Sequence, residues 1–132
     1  MTHRTKHLGL VVAAVLIASC SATQPTTAVF SHIEVVEVVD GDTIRAQVAG
    51  TTETIRLVGV DTPETKHPTK GVQCFGPQAT EFLTTMLPAG TTLRIERDQE
   101  ARDAFGRLLL YLFRPVNGGE LFVNFELVRR GY

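Results

Sequence analysis

Two tight-turn signals, Asp40-Gly41 and Ala49-Gly50, cut the stretch 33–60 into pieces of strand length. Ile33-Glu34-Val35-Val36-Glu37-Val38-Val39 is rich in β-branched residues. Thr43-Ile44-Arg45-Ala46-Gln47-Val48 alternates apolar and polar, and Thr54 to Val60 is a third apolar run. Asp-Gly between two such runs is a strong hairpin signal. The spacing leaves no room for a crossover helix, so these three strands form a meander.

Beyond Val60 the pattern changes. Asp61 to Gly71 holds Pro63, Pro68 and two carboxylates, and reads as a long irregular loop. Gly76-Pro77 opens a helix with proline in its first turn. Phe82, Leu83, Met86 and Leu87 form its apolar face, and Pro88-Ala89-Gly90 ends it. Thr91 to Glu96 alternates as a fourth strand, Gln99 to Gly106 is a polar connector, and Arg107 to Phe113 is a fifth strand. After the turn Asn117-Gly118-Gly119, Leu121 to Arg130 reads as a helix with Phe122, Phe125 and either Leu127 or Val128 inward. The predicted fold is mainly β with α: a five-stranded OB-type barrel with flanking helices.

Residues 1–30 read as something other than fold. His3, Arg4, Lys6 and His7 precede an unbroken apolar run, Leu8 to Ala18, which falls short of the ~20 residues needed to cross a bilayer. That order is an export-signal pattern, with residues 1–19 as signal peptide and 20–30 as a flexible tether. Leu16-Ile17-Ala18-Ser19-Cys20 resembles a bacterial lipobox, which makes Cys20 the expected lipidation site and the membrane a partner through that anchor. Ordinary signal cleavage after Ala22 or Ala28 is the alternative. The chain is thus expected to be exported, as an envelope lipoprotein or a secreted protein, with its domain at 31–132.

Formal net charge is −1, and loss of residues 1–19, which carry Arg4 and Lys6 and no acid, takes it to −3. This excludes nucleic-acid binding through a broad basic surface. Phosphate chemistry would need a local cationic site or a metal. Besides Cys20 the chain has only Cys74, too few thiols for a disulfide framework or a cysteine zinc site.

Charged residues gather where the strands begin and end: Asp40 and Asp42 at the first turn, Arg56 within the third strand, Asp61 and Glu64 after it, and Arg107 before the fifth. Each alone reads as a turn, cap or rim residue. Together they form "VVDGDTIRAQ", "IRLVGVDTPETKHPTKGVQCFGPQATEF" and "DAFGRLLLYLF", with "VNFELVRRGY" at the end. These segments resemble the staphylococcal nuclease (thermonuclease-like) family from about Val35 onward.

The resemblance implies an OB-type barrel that hydrolyses phosphodiesters of DNA and RNA with Ca²⁺, preferring single-stranded or locally opened substrate, with no protein partner expected. It implies that Asp42 and Asp61 hold the metal with the backbone carbonyl of Thr62. Asp40 shapes that pocket, Glu64 orients or deprotonates the attacking water, and Arg56 and Arg107 bind phosphate. Phe105 stands where the family often has tyrosine and Ala104 where it often has lysine, so substrate steering is expected to be weaker. Family members continue past the equivalent of Tyr132 with a further helix, so the domain is expected to lack that helix. A non-catalytic OB-type lipoprotein that binds nucleic acid or protein is the alternative function.

Overall fold

The computed structural model describes residues 31–63 and 75–132. The expectations for the signal segment, the tether and Cys20 lie outside them, as does Glu64.

Three strands, β1 (His32–Asp40), β2 (Thr43–Val48) and β3 (Thr51–Leu57), form the expected antiparallel meander. Helix α1 (Gly76–Met86) follows, then β4 (Thr92–Arg102), β5 (Leu108–Val116), β6 (Gly119–Phe122) and α2 (Val123–Arg129). The sheet runs β3-β2-β1-β4-β5-β6, and a parallel pairing of β3 with β5 closes five of the strands into a barrel. The barrel bears out the expected OB-type class. Closure removes the free edges that an open sheet would expose.

Alternation decides what fills the barrel. Ile44, Ala46 and Val48 from β2, Ile55 and Leu57 from β3, Leu93 and Ile95 from β4, and Leu108, Leu110 and Leu112 from β5 are all buried. On β1, Ile33 and Val35 face inward, a register shift follows between Val35 and Glu37, and Val38 then packs against the core. The bulge re-phases the strand and bends it around the barrel. Helix α1 seals the barrel with Ala79, Leu83 and Met86, joined by Leu87.

Three sequence expectations need correction. Strand β4 runs through Arg102, so much of the polar connector is strand, because an antiparallel partner continues along β5 to the pair Arg102–Leu108. Residues 119–122 form a sixth strand that hairpins onto β5, so α2 starts at Val123. That start sets which side of α2 faces inward. Val123 and Leu127, four residues apart, are fully buried, whereas Phe125 and Val128 are exposed and Phe122 is half-buried.

Asn124 fixes α2 in place. It is 3% exposed, and its Oδ1 accepts the Leu112 N–H at 2.9 Å. Its Nδ2 donates to the carbonyls of Val58 at 2.9 Å and Leu110 at 3.2 Å. One amide thus ties the helix to β5 and to the turn after β3.

Candidate active site

The turn between β1 and β2 carries Asp42 into the protein. Glycine is required just before it. A Cβ on Gly41 would lie 2.6 Å from the Ala79 Cβ and 2.7 Å from the Thr62 Oγ1. Helix α1 and the segment after β3 therefore press directly on this turn. Asp40 steadies it by accepting the Asp42 N–H on Oδ1 at 3.2 Å.

Asp42 is only 6% exposed. Burying a carboxylate is costly unless donors replace its water. Thr43 Oγ1 donates to Oδ1 at 2.9 Å, and Oδ2 accepts both the backbone N–H of Thr62 at 3.0 Å and its hydroxyl at 3.1 Å. Arg56 adds a salt bridge through Nη1 to Oδ1. Asp61 has an almost fully exposed side chain and takes the other arm of the same guanidinium, Arg56 Nη2 to Asp61 Oδ1 at 2.9 Å.

Strand register produces this convergence. Arg56 on β3 lies opposite Thr43 on β2, beside Asp42. The backbone turns after Leu57, with Gly59 at φ +75°, and buried Val60 anchors the return that brings Asp61 and Thr62 back to Asp42. The stretch Val60-Asp61-Thr62-Pro63 is therefore half anchor and half site.

Arg107 reaches the same wall by a separate route. Parallel pairing sets Arg56 against Leu109, and Arg107 shares a face with Leu109 by alternation. With Leu108 and Ile55 inside the barrel, both arginines lie on its outer surface. The Arg107 Nε donates to Asp103 Oδ2 at 2.6 Å, and its backbone N–H donates to Asp103 Oδ1 at 2.9 Å. Burial raises the Asp103 carboxyl, but the hydrogen bonds from the Arg107 side chain and from the backbone N–H groups of Arg107 and Phe105 outweigh it and hold it below the usual carboxylate range. The Phe105 ring is 85% exposed, its centroid 5.3 Å from the Arg107 guanidinium carbon.

Contacts thus join four of the expected residues, Asp42, Arg56, Asp61 and Thr62, while Arg107, one residue before β5, is held by Asp103 and shares no hydrogen bond or ion pair with them among the described residues. Asp103 was missed as a functional residue, although an aspartate four residues ahead of an arginine across a Gly-containing turn is a readable signal. Asn124 gave no such signal, because its partners are carbonyls and amides of distant strands.

The donors are oxygens, the kind a hard divalent cation takes. Carboxylate oxygens of Asp42 and Asp61 converge on one guanidinium, so they lie close enough to share a positive charge, and no nitrogen or sulfur ligand is among them. The described residues hold no group of three or more His, Cys, Asp or Glu that could bind a metal, so a cation here would also need carbonyl or water oxygens.

Known proteins resemble this chain in sequence. The family model for staphylococcal nuclease homologues matches residues 54–132, more than half of the chain and most of the site. The thermonuclease of Staphylococcus hyicus is 38% identical over 98 residues, covering 74% of this chain and 55% of that protein. The thermonuclease of Staphylococcus intermedius is 42% identical over 94 residues, covering 71% and 53% respectively. Endonuclease YhcR of Bacillus subtilis (strain 168) is 41% identical over 102 residues, 72% of this chain but 8% of that protein. The chain therefore spans about half the length of the thermonucleases it matches. With its barrel, its paired aspartates and its two outer-wall arginines, the chain belongs to the staphylococcal nuclease homologue family.

Proposed function

We propose that this protein is a phosphodiester hydrolase that cleaves DNA and RNA in the presence of Ca²⁺. The observation that carries the reading is the bridge from buried Asp42 through Arg56 to exposed Asp61, on the wall that also carries Arg107. Likeness to two thermonucleases and an endonuclease supports it. Asp42, Asp61 and the Thr62 carbonyl would hold Ca²⁺, which supplies Lewis-acid stabilisation of phosphate charge when bound.

The chain's own residues account for the rest. Arg56 and Arg107 offer planar forks of N–H donors that match phosphate oxygens. As water adds to phosphorus, charge grows on the non-bridging oxygens, and the guanidinium groups of Arg56 and Arg107 stabilise it. Asp103 holds the Arg107 side chain through its Nε. Glu64 is proposed to accept the proton of the attacking water. A carboxylate with an ordinary pKa of ~4.3 is a weak base, so most of the acceleration falls to the charge-stabilising groups. The P–O bond to the leaving oxygen breaks as the new one forms, and that oxygen takes up a proton from solvent. The chain's net negative charge disfavours broad contact with a duplex backbone and suits strands whose phosphates can reach Arg56 and Arg107, which fits single-stranded or locally opened substrate.

The test is incubation of the purified protein with denatured DNA or RNA, with Ca²⁺ or with EGTA, read on a gel. Degradation with Ca²⁺ alone, abolished in Arg56→Ala and Glu64→Gln, supports the reading. Strand binding without cleavage would replace it with an OB-type binding module. We also propose export with lipid on Cys20, supported by the basic start and the apolar run before it. Mass spectrometry of the exported form should find acylated Cys20 at its N-terminus, and a mature form starting after Ala22 or Ala28 would refute it.

A further inference from the structure

The single peptide unit that leads into Arg107 is held at both ends. Its N–H, from Arg107, donates to Asp103 Oδ1 at 2.9 Å. Its carbonyl, from Gly106, accepts Arg102 Nη1 at 2.7 Å. The loop that forms this peptide is tight: the Gly106 N–H donates to the Asp103 carbonyl at 3.0 Å, the Asp103 N–H donates to the Arg107 carbonyl at 3.0 Å, and Gly106 sits at φ +80°.

Arg102 is itself anchored on another strand. Its Nη1 and Nη2 each donate at 2.9 Å to one carboxylate oxygen of Glu53 on β3. This is a two-pronged arginine–carboxylate pair, the arrangement that best fixes a guanidinium in space. The same Nη1 serves both Glu53 and the Gly106 carbonyl, so the three groups form one chain of contacts. β3 also carries Arg56.

We infer that Glu53 and Arg102 are positioning residues: they brace the Gly106–Arg107 peptide against β3 and thereby set where the Arg107 guanidinium stands relative to Arg56. This rests on the reading of Arg107 as a phosphate-binding group. Glu53 and Arg102 act through the Gly106–Arg107 backbone. Surface pairs of this kind add little to global stability, and both side chains are partly exposed. Retaining an arginine fork here is explained by aim rather than by stability. A phosphate fork displaced by an ångström loses much of its effect on the transition state.

The experiment compares the wild-type protein with Arg102→Ala and Glu53→Gln by two measurements. Amide hydrogen exchange, followed by NMR on this 14.4 kDa chain, reports on the brace directly. The Arg107 amide should exchange about tenfold faster in Arg102→Ala and less than that in Glu53→Gln, which keeps one acceptor, while core amides such as Leu112 stay as in wild type. Kinetics with denatured DNA and Ca²⁺ report on the consequence: kcat should fall about tenfold in Arg102→Ala with KM little changed. Unchanged Arg107 exchange would overturn the brace. So would faster exchange with unchanged kcat, or a fall in kcat accompanied by faster exchange throughout the barrel, which marks a general loss of stability. If the wild-type protein cleaves nothing, the proposed activity fails, and the exchange result alone still decides whether Glu53 and Arg102 fix Arg107.

Discussion

Asp103 accepts both the side-chain Nε–H and the backbone N–H of Arg107, at 2.6 and 2.9 Å. One carboxylate thus sets the position of the residue and the direction of its side chain. In Asp103→Asn the amide oxygen can still accept one of these bonds, so the turn should persist and stability should fall by about 1 kcal/mol. The guanidinium loses its ionic partner, and kcat for phosphodiester cleavage should drop about tenfold. Protonation should mimic the substitution. The folded carboxyl lies below its ordinary range, so the tie is intact above the ordinary carboxylate pKa and is lost as pH falls through the depressed folded value. The acid limb of the wild-type pH–rate profile should shift in Asp103→Asn.

Asp42 and Asp61 should behave differently when removed. Asp61 is exposed and held only by Arg56 among the contacts described. Asp61→Ala should weaken Ca²⁺ binding at least about tenfold while the melting temperature stays near wild type. Asp42 is buried under four donors, and its loss leaves the Arg56 Nη1 arm and the Thr62 N–H without their acceptor, while Arg56 Nη2 keeps Asp61. Asp42→Ala should abolish Ca²⁺ binding and also cost about 3 kcal/mol of stability. Calorimetric titration with Ca²⁺, paired with denaturant unfolding, reads both effects. Equal stability in the two variants would contradict the burial argument, and unchanged Ca²⁺ affinity in both would remove the metal assignment.

Asn124→Ala should be among the more damaging substitutions outside the site. It leaves the buried Leu112 N–H and the part-buried Val58 carbonyl without their partner. Each such group costs about 1–3 kcal/mol. Urea unfolding should show a loss of at least about 2 kcal/mol with little change in m-value. A loss near zero would mean that water replaces the amide.

Glu126 gives α2 a measurable acid sensitivity. Hydrogen bonds from Arg129 and then Arg130 bring its carboxyl down to about 2, with Oε1 accepting from both at 2.7 Å. A depressed folded pKa means that the contribution is complete above the ordinary carboxylate range and is lost between there and pH 2. Glu126→Gln should therefore lower the melting temperature at pH 7, and the gap to wild type should narrow steadily as pH falls toward 2. A gap that does not change with pH would show that the two arginines are not held by the charge.

The meander, α1 and the barrel class were legible in the chain because they rest on local signals: alternation, Asp-Gly and Ala-Gly turns, and Pro77 at the start of a helix. Asp42, Arg56 and Asp61 stood out as charges where strands begin, run or end, but their roles, and that of Thr62, came only from the resemblance of the joined segments to a family. What tertiary structure decided was everything that depends on one strand's phase against another. The extension of β4 to Arg102 follows from its partner β5, and the strand at 119–122 exists only as β5's hairpin. The inward face of α2 could not be chosen from Phe122, Phe125, Leu127 and Val128 alone, since a shift of one residue in the helix start rotates the buried stripe by ~100°. The roles of Asn124 and of the Glu53–Arg102 pair stayed hidden for a deeper reason. Their partners are backbone groups and side chains up to 66 residues away, which only barrel closure brings within hydrogen-bond reach.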